Sequence, residues 1–148
     1  MRVVVESDIG RVAMSQTRDL LDTVAVRVRP QVSSERLAAV IDAMAACDEA
    51  VTACAAAMVA EDDVRGLRDA IIQDLNCADV VAAARRVVSR GADAASLGPL
   101  LEACVTACEH SAELCGAHAH HHEHCRLCSQ ATSRCAEMCR AVLDGLHG

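Results

Sequence analysis

The chain contains no Phe, Tyr or Trp, and only two prolines and seven glycines. A core without aromatic rings has to be built from small and branched side chains, which suits closely packed helices and leaves little from which to assemble a sandwich or barrel. No apolar run of roughly 18 residues occurs, so no segment is expected to span a membrane. Residues 1–30 carry Glu6, Asp8, Arg11, Arg18, Asp19 and Asp22, which interrupt the apolar stretch that a secretory signal needs. Basic charge is scarce as well. The formal net charge is −7, and Arg85, Arg86 and Arg90 are too few to build the positive face that nucleic acid or anionic lipid demands. Those arginines read as a solvated face, and neither a nucleic-acid nor a membrane partner is expected.

What the chain does have is cysteine, ten in 148 residues. That length suffices for one domain that buries a core without covalent staples. With no secretory signal evident, the expected compartment is the reducing cytosol, where a cysteine-rich chain reads as metal-binding or redox-active before it reads as a disulfide framework.

Residues 1–30 are the least regular part, a Val-rich opening followed by a weak helical run around residues 17–25. They form a short, partly helical N-terminal extension. The part before Met14 resembles neither a signal nor the rest of the chain and is expected to be dispensable or to reflect an over-long start. Beyond Pro30 the pattern becomes regular. Ser33 or Ser34 can cap a first helix ending near Ala60, and Glu61, Asp62 and Asp63 make an acidic link whose last members can cap a second helix over residues 64–90. Arg86 and Arg90 suit the negative end of that helix, and Gly91 is its expected stop. A loop containing Gly98 and Pro99 precedes a third helix ending near Ala119. A fourth runs over residues 122–143 and is closed by Gly145. Short links between long helices make antiparallel neighbours, so residues 31–148 are expected to form an all-α, antiparallel up-down four-helix bundle with a cysteine-lined core.

The cysteine spacing carries the chemistry. At about 100° per residue, Cys104, Cys108 and Cys115 fall within roughly 40° of one another, and Cys125, Cys128, Cys135 and Cys139 within roughly 80°. The first helix repeats the intervals 3, 7, 4 of the fourth through Met44, Cys47, Cys54 and Met58, and the third gives 4, 7, 3 through Cys104, Cys108, Cys115 and His118. Laid antiparallel, these stripes stack in layers: Met58, His118 and Cys125; then Cys54, Cys115 and Cys128; then Cys47, Cys77, Cys108 and Cys135; then Met44, Cys104 and Cys139. The second helix adds only Cys77. Free cysteine can be a small buried hydrophobe, and Cys77, Met44 and Met58 could each be core filler. Nine cysteines on three stripes are harder to explain that way, because Ala, abundant here, would fill the same volume.

Soft thiolate and thioether donors select Cu(I), zinc or iron–sulfur clusters. Zinc prefers discrete tetrahedral sites built from paired short spacings, and only Cys125 and Cys128 offer one. Iron–sulfur sets usually sit on compact loop motifs. Cu(I) shares thiolates readily, and a continuous ladder of sulfurs suits several such ions per chain. The histidine cluster, His118, His120, His121, His122 and His124, falls at the link between the third and fourth helices, on the same end as the acidic link. Imidazoles there could collect metal for Cys125 and Cys54, with His118 on the stripe as the chosen ligand and His110 and His147 at the surface. Enzyme readings lack their parts: no Glu-x2-His for a ferritin-like di-iron site, no strand context for a redox C-x2-C, and no Gly-rich phosphate loop.

Several segments resemble the cytosolic copper storage proteins of bacteria: C-A-D at Cys77, A-x3-V-x2-R-G from Ala84, E-A-C-x3-C from Glu102, H-E-H-C-x2-C from His122 and C-A-E-M-C-R from Cys135. The resemblance covers roughly residues 33–145. It implies a four-helix bundle that holds many Cu(I) ions on inward cysteines and assembles as a homotetramer, without catalysis. The chain departs from the pattern where Val80 and Val81 stand in place of a second cysteine after C-A-D, and where methionines end the first stripe. A zinc or mixed-metal thiolate buffer and a thiol-based redox protein are the alternatives.

Overall fold

The computed structural model describes residues 16–23 and 32–147. Four long helices account for nearly all of the second stretch: α1 Ser34–Val59, α2 Val64–Ser89, α3 Ala94–Gly116 and α4 Glu123–His147. Each packs against two others, α1 on α2 and α4, and α3 on α2 and α4, which closes an antiparallel up-down ring around one core. Among the described residues there is no strand. The all-α bundle expected from the spacing is therefore the fold.

Local chemistry sets the ends. Ser33 caps α1, its hydroxyl accepting the Arg36 N–H at 3.1 Å, and Asp93 caps α3 by accepting the Ser96 N–H at 2.8 Å. Gly91 stops α2 with a φ of 75°, a left-handed conformation that favours glycine. Three expected boundaries are corrected. Gly98 and Pro99 lie inside α3, because the Asp93 cap starts the helix one turn earlier and buried Leu97 and Leu101 pin that turn to the core while Pro99 faces out. α4 runs through Gly145, held by buried Leu146 beyond it. α3 ends at Gly116, not near Ala119. Asp63 precedes α2 as expected, yet its carboxylate makes no cap hydrogen bond. It is turned toward His122 on the opposite link, 3.0 Å away.

The core is aliphatic and sulfur-rich. Val40, Val51, Leu67, Val81, Val88, Leu97, Leu101 and Val142 are fully buried alongside all ten cysteines. Burying each such aliphatic side chain contributes about 1.5–3 kcal/mol, so the apo bundle has an apolar driving force of its own. Residues 16–22 are helical, and Leu21 is buried while Thr17 Oγ1 donates to Asp42 Oδ1 at 3.2 Å. The run expected over residues 17–25 is thus seen as far as it is described. The expectation that residues before Met14 are dispensable lies outside the described residues.

Gly66, in the first turn of α2, has open space where a Cβ would sit. Replacing it by Ala removes freedom from the unfolded chain with nothing to displace, so Gly66→Ala is expected to stabilise the apo protein by about 0.5–1 kcal/mol in chemical denaturation.

Candidate metal centre

The spacing that turned the cysteines to one side of each helix brings them into contact across the core. Cys47 Sγ lies 3.8 Å from Cys108 Sγ, and Cys77 Sγ lies 3.8 Å from the same atom. Cys47, Cys108 and Cys135 can all reach a common point, since their sulfurs lie within 4.8 Å of one another. Toward the histidine-rich end, Cys54, Cys115 and Cys128 form the next layer. Toward the other end Cys139 lies against Cys104 and Cys135. Met44 and Met58 are fully buried in the same core.

One member of this column was not among the residues singled out by spacing. Asp74 is completely buried on α2 and lies in the layer of Cys54, Cys115 and Cys128. The Cys115 thiol donates to its two oxygens at 3.4 and 3.5 Å, and the Cys128 thiol at 3.6 and 3.5 Å. α2 thus contributes two rungs, Asp74 and Cys77, three residues apart on the face that also buries Ala70 and Val81. That interval was the available signal; attention to sulfur alone passed over it.

The histidine that meets the thiols is His124, not His118. His124 Nδ1 lies 3.5 Å from both Cys54 Sγ and Cys125 Sγ, which are 4.0 Å from each other. His118 belongs to none of the donor groups found among the described residues. α3 ends at Gly116, two residues before it, and the His118 carbonyl accepts the His121 and His122 amides in the link. His124 escaped the periodic reading because it immediately precedes Cys125 and so lies off that helical face. Its Nε2 lies 3.1 Å from Glu61 Oε1. His122 Nε2 lies 3.0 Å from Asp63 Oδ2, so the two links close one mouth, as antiparallel topology requires.

Proton affinities within the column alternate, because neighbouring thiols share protons. The neighbouring Cys128 holds Cys115 down at about 5, while Cys128 itself is pushed up, chiefly by Cys115. Cys108 holds Cys77 down at about 4 and is itself raised, chiefly by Cys135. Burial lifts Cys125. Burial likewise raises Asp74 to about 7, with the nearby Cys54 adding to the shift. At the mouth the Asp63 hydrogen bond raises His122, and His122 lowers Asp63.

A column of soft sulfur donors with an imidazole at one end, enclosed by four helices, defines a thiolate-based metal-binding bundle. The chain belongs to the copper storage protein family, which it matches over residues 33–144. It is similar to a copper storage protein of Streptomyces lividans whose structure was solved loaded with 10 copper equivalents, with 38% identity and a TM-score of 0.82 over 87% of this chain and 98% of that one. A second structure, of a cytosolic copper storage protein from Streptomyces lividans with five coppers, shares 39% identity and a TM-score of 0.73, covering 74% of this chain and 93% of that one. An uncharacterised cysteine-rich protein of Bacillus subtilis, YhjQ, is 32% identical over 112 residues, covering 76% of this chain and 96% of that protein.

The raised Asp74 value predicts how the metal-free protein responds to pH. An unfolded aspartate titrates near 3.9, so between about pH 4 and pH 7 the folded state binds the extra proton at Asp74 and this residue's contribution to stability falls as pH rises. The contribution is complete below about pH 4 and lost above about pH 7. Relative to the unsubstituted protein, Asp74→Asn should therefore be more favourable to the apo fold at pH 8 than at pH 5, which thermal scans of both proteins at the two pH values check.

Proposed function

We propose that the protein stores and buffers Cu(I) in the cytosol, holding several ions per chain on the thiolates of Cys47, Cys54, Cys77, Cys104, Cys108, Cys115, Cys125, Cys128, Cys135 and Cys139. The observation that carries this reading is the contact of buried thiols in two groups along one core, Cys54, Cys115, Cys125 and Cys128 at the His124 end and Cys47, Cys77, Cys108 and Cys135 with Cys139 and Cys104 beyond. Thiolates in such contact can bridge neighbouring ions within each group, and the reducing compartment favours the monovalent state. The copper content and cytosolic description of the Streptomyces relatives support it.

In this reading copper enters at the mouth, where His124 Nδ1 faces Cys54 and Cys125, and His118 is one of the collecting histidines around it. Met44 and Met58 offer thioethers near the ends of the column. Residues 31–148 are the storage domain and residues 1–30 an extension of it. By family resemblance the assembly is a homotetramer, which sedimentation of the purified protein checks. Binding and release, with no catalysed reaction, are the whole activity.

Anaerobic titration of the reduced protein with Cu(I) against a chromophoric chelator should show several tightly held ions per chain. One or two zinc ions held in preference to copper, or rapid disulfide formation without metal uptake, would overturn the proposal. Replacing Cys135 and then Cys139 by Ser should lower the copper capacity stepwise while the apo protein keeps its helical circular dichroism; loss of that helical signal would mean that the stripe is structural packing.

A further inference from the structure

Above the thiols the mouth carries a second donor set of different chemistry. Glu61 Oε1 lies 3.1 Å from His124 Nε2 and 3.5 Å from His122 Nδ1. The three groups lie within 4.8 Å of one another, and the two imidazoles are stacked with centroids 5.1 Å apart. Behind His122, Asp63 Oδ2 lies 3.0 Å from Nε2. A carboxylate on the far nitrogen is how proteins fix the ring orientation and tautomer of a metal-ligating histidine, here leaving Nδ1 as the free lone pair. The His122 side chain is 12% exposed and that of Glu61 37%, so the set is backed by protein on one side and open to water on the other.

We infer that Glu61, His122 and His124 form a site for a divalent cation of the zinc class, with water completing the coordination. Two imidazoles, one carboxylate and an open position match zinc chemistry and are a poor match for Cu(I), which the soft sulfurs below would win. Asp63 is a positioning residue for His122.

His124 belongs to both donor sets, and this makes them mutually exclusive. A neutral imidazole has one lone pair and one N–H. A cation on Nε2 leaves the proton on Nδ1, which faces Cys54 and Cys125; a Cu(I) ion on Nδ1 leaves it on Nε2, which faces Glu61. A divalent ion in the outer set thus plugs the mouth by switching one ring to the tautomer that cannot bind copper. This exclusion rests on the Cu(I) reading of the thiols, whereas the outer site itself does not.

Cobalt(II), titrated into the reduced full-length protein and followed by optical absorption, is the probe. The first equivalent should give weak d–d bands without thiolate-to-cobalt charge transfer, and Zn2+ should displace it. Asp63→Asn should weaken it by about 10-fold, Glu61→Gln and His122→Ala by more, and Cys54→Ser should leave it unchanged, all four variants keeping wild-type circular dichroism. Thiolate charge transfer from the first equivalent, or one affinity shared by every variant, would overturn the outer site. Loading with Cu(I) beforehand should weaken cobalt binding roughly tenfold or more, the scale of a strong coupling between sites. Unchanged cobalt affinity with Cu(I) bound would overturn the exclusion. Failure to bind Cu(I), with the cobalt results as expected, would refute the copper reading and leave the outer site standing.

Discussion

Everything in this bundle depends on how closely its helices approach. Sulfurs from different helices sit 3.8–4.0 Å apart only because the residues around them are Ala, Val and Leu and no ring holds the backbones away. The missing aromatics and the contiguous thiols are therefore one fact. A phenylalanine on any stripe would widen the core, strand the thiols beyond mutual reach and leave separate small hydrophobes in place of a column. Packing supplies the stability, and the donors occupy the space that packing leaves narrow.

The mouth shows how a local rule yields to a tertiary one. Asp63 stands where an acidic residue ordinarily caps a helix, but its carboxylate serves His122 across the bundle. The first turn of α2 gives up its side-chain cap so that two links, distant in sequence, are clasped together. Glu61 does the same for His124. The acidic link is thus less a spacer between helices than one half of the rim.

Much of this was legible in the sequence, because the 3-4-7 intervals encode facing directly and the helices are long enough to keep register. The layers of Cys54 with Cys115 and Cys128, and of Cys47 with Cys108 and Cys135, are those the intervals predict. What could not be read was decided at helix ends and by residue type. α3 stops at Gly116, which leaves His118 in the link beyond it, and His124 joins the thiols because an imidazole at the start of α4 reaches sideways to the sulfur of the following residue. Asp74 was hidden by its charge, since a carboxylate is not expected in a core until thiol donors are there to satisfy it.

Among the described residues, the buried polar and charged groups besides the thiols are Asp74, Ser111 and Thr132, and none is cationic. With no fixed positive charge to balance them, the sulfurs of the empty protein must be mostly protonated. Each monovalent ion that displaces one thiol proton replaces a charge by an equal one, so the interior gains no net charge for as long as its thiols still carry protons to exchange. The bundle behaves as an ion-exchange column in its acid form, and the electrostatic penalty that would limit a cluster of bare cations in a low-dielectric core does not accumulate as it fills.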